Sequence, residues 1–154
     1  MVDQVIDTWN THNRIILYLL ETIEPKALNR LLSGARSHTV ARMFVHLHNI
    51  RVRWIETMLP ELLKGIKTIE QSEKIDKRLL HKSIEQSGQA IEALLKKGPG
   101  DDKLRSFNLH PAAFLGYLIS HEAHHRGEIC VALTQSGPKF GDGALNSQQI
   151  WNLR

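Results

Sequence analysis

Residues 111–136 read PAAFLGYLISHEAHHRGEICVALTQS, and Gly137-Pro138 closes the run. The stretch opens on a proline suited to the first helical position and then places apolar residues at three- and four-residue spacing. On a wheel at about 100° per residue, Phe114, Leu118, Ile129 and Ala132 share one arc, with Leu115 and Leu133 on its edge. His121 and His125 fall inside that arc. They stand at i and i+4, so both imidazoles point the same way from successive turns. Burying two polar rings costs roughly a few kcal/mol unless partners satisfy them, and one shared divalent cation would satisfy both. Such a helix needs other helices, to cover its apolar face and to complete the site.

Three further segments carry the helical period. The first is expected over Asp3–Ile23, with Val5, Trp9, Ile16, Leu19, Leu20 and Ile23 recurring mostly at three- and four-residue spacing, and Pro25 stops it. The second is expected over Thr39–Leu59, ended by Pro60. The third is expected over Ser72–Lys97, with Ser72 as N-cap and Lys96-Lys97-Gly98-Pro99 as the stop: cations in the last turn, then glycine, then proline. No strand, internal repeat or low-complexity tract is apparent. The expected fold is all-α, a four-helix bundle in one domain over residues 1–154. About 15 residues, Glu24 to His38, separate the first two helices, enough for a crossover connection over the bundle end.

Composition narrows the function. The chain is 42% hydrophobic and 23% charged, which supports a packed core. No apolar run is long enough to span a membrane, and Met1 to Asn10 holds two acids and no basic leader. A lone cysteine, Cys130, forms no internal disulfide, so a cytoplasmic location is expected, and Cys130 itself reads as a small buried hydrophobe. The net charge of +4 comes from cations scattered along the chain (Arg42, Arg51, Arg53, Lys64, Lys74, Lys77), unlike the gathered basic face of a nucleic-acid binder.

Nine histidines are present, four of them between His110 and His125. His110 sits where it could cap the fourth helix, and His124 lies off the arc, a boundary residue. A site with three protein ligands and one open position needs a third ligand from another helix. His46 and His48 on the second helix and His12 on the first are the candidates. Periodicity alone favours His48, near the edge of an arc holding Val40, Phe44, Leu47, Ile55 and Met58; His46 falls toward Arg42, Asn49 and Arg53, although Met43 and Ile50 widen the arc in its direction. From there His46 would reach a groove at the bundle's open end. His12 lies in its helix's apolar arc and reads equally as a core histidine bonded to a backbone carbonyl. Tyr117, Glu122 and Asn49 are candidates to hold the ligand rings. His121-Glu122-Ala123-His124-His125 also satisfies the zinc-protease pattern H-E-x-x-H, with Glu122 as base. The extended pattern then needs Gly at 128 and His at 131, where this chain has Glu128 and Val131.

Thr39-Val40, then Val45-His46-Leu47 and Trp54, and much later His121-Glu122-Ala123-His124-His125-Arg126-Gly127-Glu128, resemble the DinB/YfiT-like superfamily. There the second helix typically reads T-V, five residues, then H-L, and the fourth reads H-x-x-H-H-R-G-Q. The resemblance covers nearly the whole chain, down to a late tryptophan, Trp151. It implies a four-helix bundle with a crossover, often a homodimer, and a divalent metal (zinc or nickel, with iron a further candidate) on His46, His121 and His125. It also implies a small-molecule substrate and a low-molecular-weight thiol of the bacillithiol, mycothiol or glutathione type as cosubstrate of an S-transferase. A metal-dependent hydrolase and a non-catalytic, metal-stabilised dimeric bundle are the alternatives. Glu128 departs from the usual Gln, and its expected partner is Arg126.

Overall fold

The computed structural model describes residues 2–32, 38–97 and 110–135. Four helices account for most of it: α1 (Val2–Thr22), α2 (Val40–Met58), α3 (Lys77–Lys97) and α4 (Pro111–Gln135). Two short 3-10 turns, Pro25–Asn29 and Pro60–Leu62, follow α1 and α2. Each begins with the proline that the period predicts as a helix stop, because proline supplies no N–H for a continuing helix and fits a first-turn position. Gly98-Pro99, Gly137-Pro138, Ser136 and Trp151 lie outside the described residues. No described helix is long and apolar enough to cross a membrane.

Caps fix the helix starts. The Thr39 side chain accepts the Arg42 N–H at 3.2 Å, and the ring Nδ1 of His110 accepts the Ala113 N–H at 3.2 Å. The start of α3 corrects the sequence expectation. It begins at Lys77, not Ser72, and its cap is Asp76, whose carboxylate accepts the Leu79 N–H at 2.7 Å. Tertiary bonds hold the preceding residues in turns. Arg42 donates to the carbonyls of Glu70, Gln71 and Glu73, and Asn49 pairs with the Ile69 backbone through both its amide groups. Ile75, inside the expected span Ser72–Lys97 but ahead of the observed helix, still packs against the core.

α1 packs on α3 and α4, and so does α2, which leaves α1 and α2 on a diagonal. The described parts of the connection between them, residues 23–32 and 38–39, are tied down by an isolated antiparallel bridge between Leu31 and Thr39 and by Arg30, which donates to Leu133 O.

Among the described residues the core forms two apolar clusters, one at each end of the bundle. One holds Ile16, Leu19 and Leu20 of α1 with Ile23 just after it, Val40 to Leu47 of α2, Leu80 and Ile84 of α3, and Ile129, Ala132 and Leu133 of α4. The other holds Ile6 and Trp9, Ile55 and Met58, Ala90 to Leu95, and Phe114 to Leu118. The segments sharing a cluster make α1 and α4 run one way and α2 and α3 the other. Between the clusters lies a buried polar layer of His12, Arg51, Ser87 and Glu122.

Candidate metal centre

His46, His121 and His125 meet between α2 and α4. One nitrogen from each ring lies within 4.8 Å of the others. His46 Nε2 is 3.4 Å from His121 Nε2, and the ring of His125 sits 4.5 Å from that of His46 and 4.7 Å from that of His121. The cluster stands level with the polar layer, at mid-height, rather than at an open end. The antiparallel pairing of α2 and α4 makes this meeting of residues far apart in sequence a local contact. His121 and His125 are half-buried and His46 is exposed. The two α4 histidines thus flank the buried stripe instead of lying in it, and the stripe position falls to Glu122.

Each ring has a chemical setting of its own. His125 Nδ1–H donates to Glu128 Oε2 at 2.7 Å, which orients the ring and leaves Nε2 as its free nitrogen. A carboxylate behind a histidine in this way makes the ring a better metal ligand. Glu128 faces His125 and, at 3.5 Å, His124, rather than the expected Arg126. Burial and then the neighbouring His125 push the pKa of both His46 and His121 below the ordinary 6.5, which favours the neutral ring a metal requires. His121 Nδ1 is buried with no partner among the described residues. An orphaned nitrogen of this kind asks for an explanation beyond packing. Three imidazoles that bring ring nitrogens within 4.8 Å of one another, two of them biased toward the neutral form, fit a divalent transition-metal ion.

The other candidates are committed elsewhere. His48 is buried, with Nδ1 at 3.0 Å from Ser83 O and Nε2 at 2.8 Å from Lys67 O. His12 is a core histidine, but its partner is a carboxylate and not a backbone carbonyl: Nε2–H donates to Glu122 Oε2 at 2.9 Å. Glu122 also takes Arg51 in a two-pronged bond, Nε to Oε1 at 2.7 Å and Nη2 to Oε2 at 2.6 Å. Asn49 serves the Ile69 backbone. Tyr117 is exposed and stacks along His121 at 6.0 Å, and Trp54 stands edge-on to it at 5.4 Å. Cys130 is half-buried against the core, and burial pushes its thiol up, so it remains a protonated, unreactive group.

Sequence reasoning missed Arg51, read among the scattered cations although it is fully buried. A signal existed: Arg51 falls on the same helical arc as Phe44, Leu47, Ile55 and Met58.

A four-helix bundle with a three-histidine cluster on facing helices belongs to a class that builds metal sites between its helices. The DinB family model matches residues 1–142, and the chain belongs to that family. No curated protein and no solved structure matches the chain.

Proposed function

We propose that this DinB family protein holds one zinc or nickel ion on His46, His121 and His125 and transfers a low-molecular-weight thiol of the bacillithiol, mycothiol or glutathione type to a small electrophile. The observation that carries the reading is the convergence of three ring nitrogens from two helices, one of them oriented by Glu128. His12 and His48, the histidines weighed as a fourth ligand, are bonded into the core, and a site with three protein ligands would keep one coordination position for substrate. A bound divalent cation would supply Lewis acidity, which lowers the pKa of a thiol and favours the nucleophilic thiolate. The chain's own contribution is position. His46, His121 and His125 converge on one point, Glu128 holds the His125 proton on Nδ1, and Tyr117 with Trp54 provides an aromatic wall beside His121 for an organic substrate.

Hydrolysis with Glu122 as base is the weaker reading. Both its oxygens accept bonds from Arg51 and His12, and its side chain is 1% exposed.

The test is metal content by mass spectrometry on untagged protein, for wild type, His46→Ala, His48→Ala and His125→Ala, followed by a thiol panel with a chromogenic electrophile. About one equivalent in wild type and in His48→Ala, lost in the other two, supports the site; thiol-dependent turnover that disappears with the metal supports the transferase. Metal retained in all variants, or absent from wild type, ends the reading.

A further inference from the structure

The cluster forms only when α2 and α4 meet at one rotation and one height. The apolar clusters above and below do not define that rotation sharply, because apolar packing is non-directional. The polar layer between them is directional, and it lies one residue from the site on α4. Glu122 follows His121, and Arg51 lies five residues past His46 on α2. Their two bonds, at 2.7 and 2.6 Å, join a planar fork to a planar carboxylate, and both side chains are almost fully buried, at 0% and 1% exposure. Such a pair accepts little rotation of either partner.

Further contacts anchor the pair to the other two helices. Arg51 Nη1 donates to Asn13 Oδ1 at 2.8 Å and to Ile84 O at 3.0 Å. The guanidinium lies 4.8 Å over the Trp9 ring, and Trp9 Nε1–H donates to Gly88 O at 2.9 Å. Glu122 Oε2 also accepts the His12 N–H. The orientation of α4 is thereby referenced to α1, α2 and α3 together.

We propose that Arg51 and Glu122 are positioning residues of the three-histidine cluster: their buried pair sets the rotation of α4 against α2 that brings His121 and His125 to His46. Buried polar groups fix register in this way in some helical assemblies. The convergence of the rings needs no metal; its consequence for binding rests on the metal reading above.

The experiment uses the whole chain as wild type, Arg51→Met/Glu122→Met, and Glu122→Asp. The double variant keeps apolar volume without stranding a charge. The aspartate keeps the charge and shortens its reach by one methylene, so it remains testable if the double variant does not fold. In metal-free protein, nuclear Overhauser contacts are read among the ring protons of His46, His121 and His125, beside circular dichroism for fold. Zinc affinity is read by competition with a chromophoric chelator. The expected result is a folded variant with the ring contacts weakened or lost and zinc bound roughly 10–100-fold more weakly, the range for residues that orient ligands. A merely structural role would lower the melting temperature and leave both readouts unchanged in the folded protein. Wild-type ring contacts in a folded variant overturn the proposal, as does unchanged zinc affinity. Wild type that binds no zinc defeats the proposed function alone, and the ring contacts then decide this inference by themselves.

Discussion

Acid should weaken the bundle through Glu122 over a defined pH window. Burial pushes the Glu122 carboxyl up, but the Arg51 charge and its bonds, joined by His12, outweigh burial and bring it to about 2 from an ordinary 4.5. A carboxyl depressed in the folded state contributes stability that is fully present above its unfolded value. That stability is lost as pH falls from about 4.5 toward 2, because the unfolded chain binds a proton the folded one refuses. At about 1.4 kcal/mol for each pH unit of that gap, the loss is about 3 kcal/mol. A domain of this kind is stable by only about 5–15 kcal/mol, so the loss is large. The assay is urea unfolding followed by circular dichroism from pH 6 to pH 2.5, in chelator so that metal release adds nothing. Wild type is compared with Arg51→Met/Glu122→Met. The other carboxylates titrate in both proteins and cancel in the difference. Wild type should lose more than about 2 kcal/mol relative to the double variant by pH 2.5, the part of the window reached there. Parallel curves would refute the reasoning, because they would mean that the buried pair holds no proton-linked free energy.

Three further outcomes are expected. Glu128→Ala frees the His125 ring from its 2.7 Å bond and should weaken zinc binding about 10–100-fold in a chelator competition; unchanged affinity would make Glu128 an ordinary surface acid. Gly88→Ala places a methyl 2.7 Å from Asn13 Cγ and displaces the Asn13 carbonyl from Arg51. Alanine in a helix interior gains about 1 kcal/mol over glycine, and losing a hydrogen bond to a charged group costs about 1.5–3 kcal/mol, so calorimetry should show a small net loss, and a net gain would mean that Asn13 swings aside freely. His46 and His121 are depressed below 6.5, burial first and the neighbouring rings second, so the neutral form persists to lower pH than in free imidazole. Dialysis against graded buffers should therefore release the metal with a midpoint below pH 6.5, and a midpoint at or above 6.5 would contradict this. In metal-free protein the same depression makes stability fall as pH drops below 6.5, where the unfolded chain binds protons first.

The four helices were legible because each combines an apolar stripe with a strong stop, Pro25 and Pro60 being the plainest. The start of α3 was not. Ser72 and Asp76 are both cap-forming residues, and the choice between them is made by Arg42 and Asn49, which reach across from α2 to hold residues 69–73 in turns. The meeting of the two α4 histidines with a histidine of α2 was legible through spacing and resemblance, whereas periodicity alone pointed to His48. A wheel gives the direction of a side chain and not its partner, so it could not see that His48 lies between two backbone carbonyls, Ser83 O on α3 and Lys67 O in the segment before it. The pairing of Arg51 with Glu122 stayed hidden for the same reason: Arg51 shares the buried arc of α2, and Glu122 reads as a base or a support for the ligand rings, but neither position names the other as its partner.

That pairing also explains why the sequence of α4 imitates a protease. In H-E-x-x-H the glutamate earns a catalytic role only if its oxygens are free to take a proton near the working pH. Here Glu122 sits on the buried stripe, between Leu118 and Ile129 in the order of buried α4 positions. Its oxygens are committed to Arg51 and His12, and its carboxyl is held at about 2, far below a general base poised for neutral pH. Its neighbour His121, about 100° around the helix, faces His46 instead. One turn of α4 thus divides its polar groups between two tasks: Glu122 locks the helix to the core, and His121 and His125 face the groove beside it. A residue that locks the helix is poorly suited to proton transfer, since protonating it would loosen the arrangement on which the histidine cluster depends.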